Sequence, residues 1–320
     1  MARNAIVLCM ARQRPSFFKN AFGLFKQTAI EWLDDKAPQL GAALAYYTVF
    51  ALAPLVLLLL AIIGILFRDD PSGAWSRVTE QMGYFLDKSA IQVVTDIAHD
   101  ASKPGKSTLA TVIGIALALF GATGVFGQLQ DALNTIWGVK AKPGEGMMSF
   151  LRARFVSFAM LGGVFFLLLV SLTIEAILKG FSHYVQSALP GGLAIAVSVY
   201  LLFDFAVVTV LFAMIFKFLP DAKIQWRDVW IGAVLTAIFF GIGKWALGLY
   251  LGSGAAASAY GAASSLITLL LWIYYSSQIL LFGAEFTQVY ANQAGRRVEP
   301  SEHAVPIVTT EQERPHRKKR

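Results

Sequence analysis

Four ionisable side chains, Glu175, Asp204, Lys244 and Glu285, stand inside stretches that are otherwise long, apolar and uncharged. A charge placed in hydrocarbon is costly, so each of these groups must face a partner, a watery cavity or a membrane surface. Each is therefore a candidate for binding or transport chemistry. Lys244 is the one charge between residues 229 and 251. Its long stem can reach a carboxylate on a neighbouring helix, Asp204 or Glu175, or carry the ammonium outward to water. Two readings stand for this group. One is a structural Lys–carboxylate pair that locks two helices; the other is a polar site in an outward-facing cavity. The run Tyr274-Tyr275-Ser276-Ser277-Gln278 either lines a pathway or bonds between helices, and Tyr46 and Tyr47 either line the interior or pack with a hydroxyl bonded to a neighbour.

Enzyme chemistry finds no comparable footing. His99, His183, His303 and His316 are scattered, and none is spaced with a second metal ligand along a helix. Cys9 stands alone, which excludes an intrachain disulfide and a cysteine metal cage. There is no phosphate-cradling glycine loop and no nucleophile elbow. A ribonuclease would need a cationic RNA groove and a base or metal beside a phosphate, and the segments between the apolar stretches are too short to fold one. No enzyme activity, cofactor, metal or nucleic-acid partner is expected. The expected partners are membrane lipids and a small amphipathic solute, and the oligomeric state is not set by the sequence.

The elements that position these residues are membrane helices. Hydrophobic residues make up 56% of the chain and charged residues 15%, with a mean hydropathy of +0.59, against about 25% charge in a soluble chain. From Gln39 to Phe67 there is no charge at all, a length in excess of the ~30 Å hydrocarbon core. Small residues such as Gly41, Ala42 and Ala45 fill the first half of this span and Leu, Ile and Val the second, with Pro54 at the change. The expectation is a half packed against protein, a greasy half more open to lipid, and a bend at Pro54. Further spans are read at about 107–128, 155–178, 190–216, 229–251 and 263–290. In the fifth, Ala233, Ala237, Gly241 and Gly248 recur mostly at four-residue steps and mark a close-packing face; a hinge at Gly248–Gly254 is the alternative.

Two amphipathic patterns flank the first span. Phe18, Phe22, Phe25, Ala29 and Trp32 define one, either lying among headgroups or packing on the protein's own loops. Trp75, Val78, Met82 and Phe85, then Ile91, Val94, Ile97 and Ala98, define one or two surface helices within 68–106. Lys and Arg give the orientation. Segments 1–37, 128–154, 217–227 and 291–320 hold six, four, three and seven, while 68–106, 179–189 and 252–262 hold five, one and none. The excess places both termini inside around six spans. Lys244 then lies in the outer third, Asp204 near mid-depth, Glu175 near the outer end of its span, and Glu285 near the inner interface. Solvation at the helix end or a pair with an inner Lys or Arg is the expectation for Glu285. The fold class is thus an all-α polytopic helix bundle. It comprises an inner segment (1–37), a membrane domain (38–291) with an outer insert (68–106), and a basic tail (292–320) expected to be disordered.

The motifs Ala42-Ala43-Leu44-Ala45-Tyr46-Tyr47 with Pro54, Ala132-Leu133-Asn134-Thr135-Ile136-Trp137, and Phe218-Leu219-Pro220 with Trp226-Arg227-Asp228, Gly232, Lys244 and Tyr250 follow one another in order. Tyr260-Gly261, Trp272-Ile273-Tyr274 and Gly283-Ala284-Glu285 complete the series. Together they resemble the YihY/BrkB family of bacterial inner-membrane proteins over about residues 20–293. The resemblance implies a six-helix protein of the inner membrane with transport-like roles and a link to virulence. It also brings an old ribonuclease label, widely regarded as a misassignment, which the residues argue against.

Overall fold

The computed structural model describes residues 17–85, 88–101, 124–142, 162–163, 192–252, 264–296 and 298–307. Spans two and three, with Glu175, fall almost entirely outside the described residues. Within them the chain forms α1 (Phe17–Asp34), α2 (Ala37–Leu66), α3 (Pro71–Phe85), α4 (Lys88–Ala101) and α5 (124–136). The long helices α6 (Gly192–Phe218), α7 (Trp226–Gly252) and α8 (Ser264–Gln293) follow. Three helical stretches among the described residues are long and apolar enough to cross a membrane: Leu201–Phe218, Trp226–Tyr250 and Leu266–Gln293. Helix α2 has 30 residues and no charge, and runs unbroken through Pro54, whose side chain lies outside the described set.

Helix α8 is the hub, packing on α1, α2, α4 and α7, while α6 packs on α7. The α7–α8 contact is set by glycines opposed to threonines. A methyl built on Gly232 would lie 1.7 Å from the Thr287 hydroxyl oxygen, and one built on Gly283 would lie 1.9 Å from that of Thr236. Each threonine hydroxyl donates to the carbonyl four residues back, Thr236 to Gly232 and Thr287 to Gly283, both at 2.7 Å. The two helices thus interlock reciprocally, each threonine side chain lying over the partner's glycine while its hydroxyl is satisfied within its own backbone. Further along, Gly243 receives the Tyr275 phenol in the same way. The glycines expected to form this face do not: Gly241 and Gly248 are exposed, with no described atom near a built Cβ, although Ala233 and Ala237 are buried.

In the first half of α2, Gly41 and Ala45 are buried as expected and Ala42 is exposed. Part of the apolar second half is covered by protein, while Gly64 and Ile65 near its end are exposed. Val56 clusters with Val94 and Ala98 of α4, and Leu52, Leu60, Trp75, Met82 and Ile97 pack around them. The insert therefore forms two helices, with Trp75 and Met82 of α3 turned onto α2 beside α4. Asp70 starts α3 by accepting from the Gly73 amide at 2.8 Å.

Helix α1 turns into α2 at Lys36, in the left-handed region at φ 56°. Its buried side differs from the expected stripe. Phe25 lies against Phe286 and Phe239, and Thr28 is fully buried, whereas Phe22 and Ala29 are exposed. Packing on α8 and α2 thus accounts for one face of the helix.

The tail departs most from expectation. Beyond α8, Gly295 at φ 74° ends the helix and the Arg296 amide returns to the Ala291 carbonyl at 3.0 Å. Two short strands follow. β3 (Glu299–Pro300) pairs antiparallel with β2 (Ala222–Lys223), and β4 (Ala304–Pro306) pairs antiparallel with β1 (Val139–Ala141). The expected disorder is not what the described residues 292–296 and 298–307 show: loop edges supply backbone partners that the composition of the tail does not provide. Residues 308–320 lie outside the described set.

Candidate functional site

Lys244 projects from α7 half-buried, and Asp204 of α6, also half-buried, is the neighbouring charge that acts on its ammonium. The structure thus brings together two of the residues singled out in the sequence, from two consecutive long helices. Tyr46 and Tyr47 do not join them. They are 61% and 45% exposed on α2, with their rings against each other and Tyr46 against Phe50. Gln278 belongs to a different place again: its amide donates to the Pro38 carbonyl at 3.4 Å and fills the gap left by Gly41. Here Gly41 is needed for close approach, since a methyl built on it would lie 2.1 Å from the Gln278 amide nitrogen.

About two turns further along α8 lies Glu285, 0% exposed. The expectation was solvation at a helix end or a pair with an inner Lys or Arg; instead the side chain is buried, and the described charges that act on it are acidic. Its carboxyl meets that of Asp35, from the α1–α2 junction, with Glu31 nearby. Two carboxyl groups in contact form a hydrogen bond only by sharing a proton. Burial pushes the Asp35 carboxyl above its ordinary range; the bond to Glu285 opposes this, and the charges of Glu31 and Asp34 add to the rise.

Two further polar locks hold the face on which the loops gather. Asp228, 1% exposed, pairs with Arg296 at 2.6 Å. Asn134 and Asp221 clasp each other: the Asn134 amide donates to the Asp221 carboxylate at 2.9 Å, and the Asp221 backbone amide donates to the Asn134 side-chain oxygen at 2.8 Å. Gln130 adds a donor to the same carboxylate at 3.1 Å. These bonds explain why Asn134, Asp221 and Asp228 sit where they do without invoking chemistry. Sequence reasoning missed Asp35, although a signal was present. Phe25, Thr28, Trp32 and Asp35 follow at spacings of three, four and three, which places Asp35 on the buried stripe. No group of three or more His, Cys, Asp or Glu side chains among the described residues is disposed to hold a metal ion.

These helices define an α-helical membrane protein whose polar side chains are gathered between packed spans. The profile of the family described as "Virulence factor BrkB" matches residues 29–307, and the chain belongs to that family. The match includes the strand-forming tail through β4. Among similar proteins, a "UPF0761 membrane protein" of Tolumonas auensis is 26% identical over 260 residues, covering 79% of this chain and 80% of its own length. One of Stenotrophomonas maltophilia (strain R551-3) is 27% identical over 315 residues, 93% of this chain and 67% of the relative. One of Alkalilimnicola ehrlichii is 28% identical over 271 residues, 82% of this chain, which spans only 57% of that relative. No solved structure matches.

Proposed function

We propose that this protein is a six-span, inner-membrane transporter or translocase-like protein for an amphipathic or lipid-related solute, with both termini on the inner side and no enzymatic activity. The observation that carries the reading is the placement of Lys244 beside Asp204 within two apolar helices, α6 and α7. Neither α6 nor α7 needs a charge at that depth to fold, and the two charges together cost more to insert than apolar side chains of the same size. A gradient or the solute itself supplies the energy, since the sequence holds no nucleotide motif. Two arrangements support the orientation. Segments assigned to the inner side from four parts of the chain meet at one place: α5 with β1, β2, the start of α7, and the tail with β3 and β4. The α3–α4 insert, assigned outside, packs instead along the second half of α2.

The test is the double substitution Lys244→Met with Asp204→Asn. Each single change should lower thermal stability, because it leaves a charge unpaired, and the pair together should recover most of the loss. The expected result is a folded double variant that fails to restore the phenotype or solute flux of a deletion strain. A double variant as active as the wild type assigns the pair to packing alone. Topology is checked separately. A reporter active only on the outer side should work when fused within 68–106 and fail after Gly295; activity at the later site removes the six-span reading.

A further inference from the structure

A groove of about 520 Å³ opens where α6 ends and α7 begins, lined by Lys217, Lys223, Ile224, Gln225, Trp226 and Glu299. Its two ammonium groups are held differently. Lys217 donates to the Ile224 carbonyl and lies 5.5 Å from the centre of the Trp226 ring, so its position is fixed in advance while further N–H donors remain. Lys223 is exposed on β2, opposite Glu299 in the ladder. The groove therefore holds two cations against one carboxylate. From it exposed apolar side chains continue along α7 in a row that winds about 40° per step around the helix: Trp226, Trp230, Val234 and Ile238. Phe218 stands edge-on to Trp226 at 5.8 Å, and Trp230 lies 6.5 Å from it, which gives an aromatic shelf where the groove meets the row. Twelve residues of helix span roughly 18 Å, most of the reach of an extended acyl chain.

We infer that this groove and row together bind one anionic phospholipid, its phosphate between Lys217 and Lys223 and an acyl chain along the α7 row. A cationic pocket joined to an exposed aromatic and aliphatic track matches both ends of such a molecule. A soluble phosphate would use only the groove, and a zwitterionic lipid would bring an ammonium group toward the two lysines. The site is separate from the Lys244–Asp204 pair, and it stands whether or not the protein moves a solute.

The experiment uses the full chain purified in detergent and exposed to equal amounts of phosphatidylglycerol and phosphatidylcholine, with retained lipid read by native mass spectrometry. Phosphatidylglycerol should be kept about fivefold over phosphatidylcholine, the preference that one lysine confers near a membrane surface. Lys223→Gln should erase most of that preference, and Glu299→Gln should raise it. Lys36→Gln, at an exposed lysine on a different turn, serves as the control and should leave it unchanged. In a second arm, lipids brominated on the acyl chain should quench tryptophan emission, and the double substitution Trp226→Phe with Trp230→Phe should remove most of the quenching. Equal retention of the two lipids by the wild type, or no response to either Lys223→Gln or Glu299→Gln, overturns the site. Displacement of phosphatidylglycerol by millimolar inorganic phosphate also overturns it, since the groove then recognises a free anion and not a lipid.

Discussion

Raising the pH from about 5 to about 8 should destabilise this protein through one contact, and Glu285→Gln should remove that part of the dependence. The contact is the carboxyl pair of Asp35 and Glu285. Burial holds the Asp35 carboxyl above its ordinary value of 3.8, so the folded state keeps a proton that the unfolded chain has released. Stability from this source is complete below the unfolded value and is lost as the pH climbs through the folded one, the reverse of an ordinary salt-bridged aspartate. Glu31 and Asp34 face the same group and add repulsion as the pH rises, while Lys36, the nearest cation in sequence, is exposed. A glutamine at 285 keeps the shape and donates to the ionised Asp35 carboxylate without a shared proton. At pH 8 the gain should be about 2 kcal/mol, within the range for a hydrogen bond to a charged group. The measurement is thermal unfolding of wild type and variant across this pH range. Parallel curves would show that no proton is held between the two carboxyls.

The second large effect lies at the α7–α8 interlock. Gly283→Ala should cost on the order of 3 kcal/mol, the upper end of ordinary overpacking, because the new methyl overlaps the Thr236 side chain. Thr236→Ala removes the hydroxyl at 1.9 Å and leaves a contact at 3.0 Å, so the double variant should recover part of the loss. That recovery is the coupling that a double-mutant cycle detects between touching residues. Gly241→Ala and Gly248→Ala should be neutral or stabilising, since both positions are exposed and alanine is the better helix former. Fluorescence-monitored melting of the purified variants separates the cases. Equal damage at Gly241 and Gly283 would mean that the interlock does not govern the contact.

That comparison also shows where the sequence could be read and where it could not. Long uncharged runs announce membrane helices because each backbone bond must be made inside the segment, and α6, α7 and α8 sit close to the expected boundaries. The packing face of α7 was misread because a row of every fourth residue drifts by about 40° per step around a helix of 3.6 residues per turn. Gly241 has rotated away from Ala233 by the second step. The row that meets α8 is Gly232, Thr236, Phe239 and Gly243, at spacings of four, three and four, which cancel the drift. Lys244 was legible as a charge in need of an answer, but the sequence offered Asp204 and Glu175 alike; among the described residues Asp204 is the charge that acts on it. Asp35 was not legible, because a carboxylate beside other acids reads as solvated until its partner, 250 residues later, closes over it. The strands of the tail were illegible for a related reason: each is two or three residues long and exists only against a loop edge.

Those strands also set an order of events. Residues 298–307 leave the ribosome after every segment they bind, and Lys142 waits through 160 residues of further synthesis for the Glu302 carbonyl. The helices α6, α7 and α8 can enter the membrane and begin to pack while the edges of β1 and β2 still lack their partners. The face where the loops gather is then a late product of biogenesis, fastened by the last described stretch to arrive. Until then the nascent chain offers two open strand edges to whatever chaperone, protease or sister chain reaches them first.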